Sequence, residues 1–421
     1  MITHYNIITR AVLIICMIIT VNFSANAQED ISDDEVVTDS LLTDTLTTSQ
    51  HALPWTEQVR THINRLLESD MFSTSQVGIM VYDLDADSAI YTHNERQLMR
   101  PASTMKVITA ITAIDKLGGS YRFKTELCYT GDVSNGTLNG NVYCVGGFDP
   151  RFNIDDMRAF VEGIRKMGVD TIRGNIYADK TMKSADTLGS GWCWDDDNPI
   201  LSPLLISRRN VFVKRFVDEL REAGIVVEAT LGEARKPDDA YCIASRFHSI
   251  DQILMRMLKE SDNLYAESMF YQLAASTGNR RSTAKDAATV IGRLISKVGL
   301  NPRRYKIADG SGLSLYNYVS AELEVKLLRY AFHNNNIYLH LHPALPEAGV
   351  DGTLRRRMRG PFTQSNVFAK TGTVKGISSL AGYCTAANGH HLAFSIINQG
   401  VMHHSNGRAF QDRVCTILCQ P

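Results

Sequence analysis

Apolar residues recur along the chain at two periods, every second position in short runs and every third or fourth in longer ones. Val77 to Leu84 and Ala89 to His93 read as strands joined at the turn Asp85-Ala86-Asp87-Ser88. Phe123 to Thr130 and Thr137 to Val145 flank a Gly/Asp/Asn/Ser-rich stretch and predict a hairpin, and Gly174 to Ala178 predicts a further strand. Three more strands are expected near the C-terminus, over Asn366 to Thr373, Gly376 to Thr385 and His391 to Gln399. Helical spacing runs from Trp55 to about Ser69, Ile154 to Met167, Val213 to Ala223, Ser249 to Glu260, Leu264 to Ala275, Thr283 to Val298, Ser320 to His333 and Asn406 to Leu418. One helix differs from these. Met105, Val107, Ile108, Ile111, Ile114 and Leu117 cover more than half its circumference before Gly118-Gly119 ends it, so it belongs inside the protein rather than on its surface.

The first fifty residues stand apart from this pattern. Arg10 precedes an apolar run from Ala11 to Val21, and Ala25-Asn26-Ala27 offers small residues for cleavage, so residues 1–27 read as a secretory signal peptide cut after Ala27. That places the mature chain in the periplasm or otherwise outside the cytoplasm, with no transmembrane anchor after cleavage. Residues 28–50 carry seven acidic side chains and no Lys or Arg, the composition of a disordered acidic linker. The whole chain has a formal net charge of −1, which gives no reason to expect nucleic acid.

The buried helix also opens on chemistry. Ser103 and Lys106 lie three residues apart and so share one helix face. A lysine buried beside a hydroxyl tends to lose its proton, and a free amine can take the serine proton and make it a nucleophile. By itself the pair reads more readily as a capping serine and a surface lysine. Ser261-Asp262-Asn263, between two helices, and Lys370-Thr371-Gly372-Thr373, near the end of a strand, complete a set known from serine enzymes that act on D-alanyl peptides and β-lactams. The loop supplies a hydroxyl and an amide. The strand supplies a cation, hydroxyls, and a glycine without a Cβ to obstruct a peptide-like substrate.

With that trio, further stretches carry a specific resemblance. They are Gly146-Gly147-Phe148-Asp149-Pro150, Ser261 to Glu267, Asp309 to Ser314, Ala348 to Leu354 and Ala369 to Thr373. The chain resembles the class C low-molecular-mass penicillin-binding proteins, the D-alanyl-D-alanine carboxypeptidase/endopeptidase family, from about Leu53 to its end. The resemblance implies a mixed α and β fold. A β-lactamase/transpeptidase-like catalytic domain, an antiparallel sheet covered by helices, would be built from 51–119 and 245–421. Residues 120–244 would form an inserted α/β accessory domain. It implies acylation of Ser103 by D-Ala-D-Ala termini or D-Ala–diaminopimelate cross-links of peptidoglycan, and covalent capture by β-lactam inhibitors. Lys106 would be the base, Ser261 and Asn263 would relay protons and position the substrate amide, and Lys370 would add positive potential and help hold Ser261. Thr371 and Thr373 would bind the substrate carboxylate beside Gly372, with the Ser103 and Thr373 N–H groups as oxyanion hole. No cofactor or metal is implied. Two departures appear. The third domain common in the family has no room between Trp194 and Arg209, and Phe148 stands where the family commonly has another glycine.

Two alternatives belong beside this reading. A class A-like β-lactamase expects a shorter gap between the serine helix and Ser-Asp-Asn, and a later Glu-x-x-Leu-Asn that does not occur after Asn263. A non-catalytic penicillin-binding or wall-binding module would keep the fold without turnover. His390-His391, His403-His404 and Asp195 to Asp197 lack metal-ligand spacing and read as solvated turns, and the Arg355 to Arg359 cluster as a solvated face. Of the seven cysteines after Ala27, Cys128 and Cys144 flank the predicted hairpin and form the expected disulfide.

Overall fold

The computed structural model describes residues 54–196 and 198–421, so the expected signal peptide and acidic linker lie outside the described residues. In chain order the main elements are α1 (Trp55–Leu67), β1 (Gln76–Asp83), β2 (Ser88–His93), α2 (Met105–Leu117), β3 (Arg122–Ser134), β4 (Thr137–Val145), α3 (Ile154–Lys166) and β5 (Thr171–Asp179). They continue as α4 (Phe212–Glu222), β6 (Val226–Glu233), β7 (Tyr241–Ser249), α5 (Ile250–Lys259), α6 (Asn263–Ala275), α7 (Ala284–Lys297) and α8 (Ala321–Phe332). The chain closes with β8 (Phe368–Val374), β9 (Ile377–Thr385), β10 (His391–Gln399) and α9 (His404–Cys419).

The strands form two sheets. The first, in the order β2-β1-β10-β9-β8, is antiparallel throughout and joins strands from both ends of the chain. Its period-two alternation feeds two cores. Ile79, Val81, Leu380 and Phe394 face the core shared with α1 and α9, while Met80, Ala381, Tyr383 and Ala393 face the core shared with α2, α6 and α8. The second sheet, β6-β5-β4-β3-β7, is mixed, with β4, β5 and β6 parallel, and packs α3 and α4 over a core of its own. Strand β7 pairs with β3 as far as Ser249, so the boundary expected at 244/245 falls inside a strand. Sequence periodicity passed over β6 and β7, both largely solvent-facing.

The hairpin register corrects the expected disulfide. Cys128 stands opposite Tyr143, and Cys144 stands opposite Leu127, so the two cysteines point to opposite faces of the sheet. Cys144 enters the core, and Cys128 bonds instead to Cys242, directly across from it on β7.

Helix α2 is buried from Met105 through Ile114, as its apolar circumference requires. Ser103 itself lies in a preceding 3-10 turn (Ala102–Thr104), entered through Ala102 at φ +49°. Between β5 and α4, the described residues of 180–211 contain no helix or strand. This segment crosses to the first sheet's side of the molecule: Lys183 bridges to Ser282, Gly191 accepts from the Leu315 amide, and Arg208 meets Asp262. No helix of the described residues is long and apolar enough to cross a membrane.

Candidate active site

Three segments converge on Lys106, whose side chain is wholly buried. Its Nζ lies 2.9 Å from Ser103 Oγ, 2.8 Å from Asn263 Oδ1 and 2.8 Å from the Ser311 carbonyl oxygen. Burial drives its pKa down, against the opposing pull of Asp309, Glu267 and Asp262, to about 8. At neutral pH that leaves about a tenth of the lysine as free amine, against roughly one part in three thousand for an ordinary lysine. A neutral amine has two N–H bonds and one lone pair. Asn263 Oδ1 and the Ser311 carbonyl can only accept, so they take the two N–H bonds and the lone pair is left for the Ser103 hydroxyl.

Local structure fixes each partner. Asp262 caps α6, accepting from the Leu264 and Tyr265 amides, which sets Asn263 at the head of the helix. Ser261 precedes it at φ +58°. The Ser311 carbonyl belongs to a turn held by buried carboxylates: Glu267 Oε1 accepts from the Gly310 and Ser311 amides, and Asp309 accepts from Gly312, Ser314, Asn317 and the Trp192 indole. Burial and the charge of Asp309 push Glu267 up to about 8. Gly312 sits at φ +83°, where a Cβ would lie 1.8 Å from the Ala102 carbonyl oxygen, so only glycine lets this turn close on the nucleophile turn.

Strand β8 supplies the remaining candidates and forms the edge of its sheet. The Ala369 amide donates off that edge to the Pro346 carbonyl. Strand alternation then turns the Thr371 and Thr373 amides to the same outer side, where a substrate backbone can pair. Gly372 faces the other way. A Cβ there would lie 2.8 Å from the Pro101 carbonyl oxygen and 2.9 Å from the Ser103 nitrogen, so its bareness makes room for the nucleophile turn rather than for a substrate. Thr371 Oγ1 donates to Thr353 Oγ1 at 2.7 Å, while Thr373 is exposed.

Lys370 is also wholly buried, and burial together with Lys106 holds its pKa well below the ordinary lysine value. Its Nζ donates to the Thr371 carbonyl at 2.8 Å. Among the described residues it makes no hydrogen bond to Ser261, whose hydroxyl is unpartnered. The holding of Ser261 by Lys370, expected from the resemblance, is absent from this arrangement.

Comparison with known proteins bears on the same residues. The sequence model of the D-Ala-D-Ala carboxypeptidase 3 (S13) family matches residues 59–205 and 204–420. The chain belongs to this family. It is 26% identical over 405 residues to the D-alanyl-D-alanine carboxypeptidase DacB of Haemophilus influenzae, covering 76% of this chain and 84% of that protein. It is 26% identical over 464 residues to an Actinomadura D-alanyl-D-alanine carboxypeptidase, covering 86% of this chain and 85% of the relative. The crystal structure of penicillin binding protein 4 from H. influenzae superposes with a TM-score of 0.79 at 23% identity, over 85% of this chain and 99% of that one. A predatory endopeptidase of Bdellovibrio bacteriovorus superposes at 0.54 and 16% identity, over 82% and 93%. The expected class C low-molecular-mass penicillin-binding protein is borne out, as is the mixed α and β fold, which is shared with a solved penicillin binding protein.

The structure thus gathers Ser103, Lys106 and Asn263 into one hydrogen-bonded group, with the Lys106 charge close enough to lower the Lys370 pKa. Sequence reading missed Ser311, Glu267, Asp309 and Trp192. Asp309 to Ser314 and Glu267 stood inside stretches that carried the resemblance, but a carbonyl aimed at a lysine leaves no mark on residue type. The His390 and His391 partners were missed as well. They pair with Asp83 and Asp85 of the β1–β2 end, at 2.7 and 3.1 Å.

Proposed function

We propose that this chain is a secreted serine DD-peptidase that cleaves D-Ala-D-Ala termini and D-Ala–diaminopimelate cross-links of peptidoglycan through an acyl-enzyme on Ser103. The observation that carries it is the placement of Lys106 Nζ 2.9 Å from Ser103 Oγ, with carbonyl oxygens of Asn263 and Ser311 as its two other partners. In acylation Lys106 takes the hydroxyl proton as Ser103 Oγ attacks the penultimate D-Ala carbonyl. The oxyanion forms between the Ser103 and Thr373 amides, whose adjacency follows from the close approach of Gly372 to the Ser103 nitrogen. Collapse breaks the peptide bond, and the leaving amine takes the proton held by Lys106 through Ser261, two residues before Asn263 in the chain. Water then attacks the ester, returning the proton to Ser103 and releasing the shortened peptide. Thr371 and Thr373 receive the terminal carboxylate, and Lys370 supplies the positive potential that favours it. The same group would be acylated by β-lactams.

The two ends of the chain form the catalytic domain in this reading, and the second sheet, β3 to β7, is the inserted accessory domain. The Cys128–Cys242 disulfide supports an oxidising compartment and hence secretion.

Labelled penicillin followed by peptide mapping tests the assignment. The label should sit on Ser103 and vanish in Ser103→Ala, and D-alanine should be released from a pentapeptide. Labelling at another serine sinks the mechanism, and fast repeated hydrolysis of penicillin favours a β-lactamase instead.

A further inference from the structure

We infer that the pocket behind Asp262 is a subsite for a carboxylate of the stem peptide, the free α-carboxylate of its γ-linked glutamate. A cavity of about 290 Å³ opens there, lined by Pro150, Arg151, Ser207, Arg208, Arg256 and Tyr265. It is at the small end for ligand pockets, suited to one side group rather than a whole ligand.

Charge and construction both point to an anion. Arg208 Nη1 and Arg256 Nε meet the same Asp262 oxygen at 2.5 and 2.8 Å. Burial would raise the Asp262 pKa, but these guanidiniums outweigh it and hold the carboxyl below its ordinary value. Arg151 adds a third guanidinium and has no ion-pair or hydrogen-bond partner for its side chain among the described residues. Against three cations stand Asp262 and, acting on Arg256 from the end of α5, Glu260. The pocket therefore keeps positive charge in excess, on guanidiniums half-exposed toward it: Arg208 and Arg256 side chains are 46% and 50% accessible while Asp262 is 6%.

The backbone presents these cations at a cost. Ile206 and Arg209 exchange both backbone hydrogen bonds around a two-residue turn whose central residues, Ser207 and Arg208, lie at φ +45° and +67°. Turns of this type ordinarily hold Gly, Asn or Asp. Two side-chain-bearing residues in that conformation are strained, and such strain concentrates where a side chain must be aimed. Arg151 is likewise set by a rigid loop: its amide donates to Asp149 Oδ1, and Asp149 Oδ2 is tied to His248. Arg256 lies 5.2 Å from the Tyr265 ring centroid, which fixes its plane.

Position beside the cleft points to this carboxylate. Asp262, which pairs with Arg208 and Arg256, directly precedes Asn263, whose Oδ1 accepts from Lys106, so the guanidiniums stand beside the reaction cleft. In a stem peptide the γ-linked glutamate stands two residues before the D-Ala that acylates the serine, and its α-carboxylate is free. This rests on the DD-peptidase reading of Ser103, and the test separates the two.

D-alanine release is measured from three substrates: L-Ala-γ-D-Glu-diaminopimelyl-D-Ala-D-Ala, the same peptide with the glutamate α-carboxylate as a carboxamide, and a short N-acylated D-Ala-D-Ala. The native chain should prefer the carboxylate pentapeptide to the carboxamide by about tenfold in kcat/KM. Arg151→Gln should erase that preference while leaving the carboxamide, the short substrate and penicillin labelling within about twofold. Equal rates on the two pentapeptides in the native chain, or an equal loss on all three substrates in Arg151→Gln, overturns the subsite. Failure of the DD-peptidase reading shows differently, as no D-alanine from any substrate. Calorimetric binding of the two pentapeptides to Ser103→Ala then still decides, since tighter binding of the carboxylate form supports the pocket and equal binding rejects it.

Discussion

A lysine can serve as base only in the fraction of molecules where it has lost its proton, so the burial of Lys106 sets the working pH. With a pKa near 8, acylation by a β-lactam should rise about tenfold per pH unit below that value and level off above it. The sign follows from the depressed pKa: raising the pH supplies free amine. Lys106→Arg keeps the charge but cannot deprotonate, so it should lower the acylation rate by orders of magnitude at every pH. A flat profile between pH 6 and 8, followed by stopped-flow penicillin binding, removes Lys106 from this role. Ser103, Lys106 and Asn263, which the structure brings together, were legible because each sits in a contiguous motif whose residue types are themselves the chemistry. What was illegible at this scale acts through the backbone or across the fold. The Ser311 carbonyl could belong to any residue, and Glu267 acts only because α6 buries it beneath the Gly310-Ser311 turn. Phe148 was visible as a departure, yet not its consequence: it holds φ +51° while buried against Tyr271, a conformation in which glycine would be unstrained.

At the scale of elements, strong periodicity found the buried helix and the hairpin, and failed where a strand has little apolar face to show. Strands β6 and β7 are that case: Val226, Leu231, Tyr241 and Phe247 are exposed, so neither alternation nor helical spacing marks them. Missing β7 misled the disulfide expectation, because the true partner of Cys128 lies on it. Two cysteines at similar distances from a turn pair only if the register sets them opposite each other, and here it is off by one. The Cys128–Cys242 link spans a sequence separation of 114 and joins the start of the second sheet to its end. Cys242→Ser should therefore destabilise the chain by about 2–5 kcal/mol in urea unfolding and expose a new thiol at Cys128. Cys144→Ser should leave the disulfide intact on mass mapping. A Cys128–Cys144 bond in the native chain would falsify the register.

For the whole molecule, the open question is whether the cleft trims stem peptides, cuts cross-links, or does both. In the proposed reading the carboxylate binds along edge strand β8, where the Thr371 and Thr373 amides turn to the free side and Thr373 is exposed. On that reading, this end would select a free carboxylate on a D-configured carbon. An uncross-linked D-Ala-D-Ala terminus supplies one. A D-Ala–diaminopimelate cross-link supplies another, because its amine-bearing carbon has the D configuration and its own carboxylate. The two substrates differ in bulk beyond that carbon, so access rather than recognition decides between them. The segment 180–211 reaches Asp309 through Trp192 and Asp262 through Arg208, and adds no further sheet or helix among its described residues. The third domain expected from the resemblance has no helix or strand to match it among the described residues of 180–211, which are held against the Asp309 turn and Asp262. Both activities are therefore expected, with cross-linked dimers and monomeric pentapeptides consumed at rates within about tenfold of each other. Parallel digestion of purified muropeptide dimers and monomers, followed by mass, checks this. Loss of terminal D-alanine with the dimers left intact would mean that bulk beyond the carboxylate is excluded after all, and that the cleft is closed along β8 by contacts this arrangement does not supply.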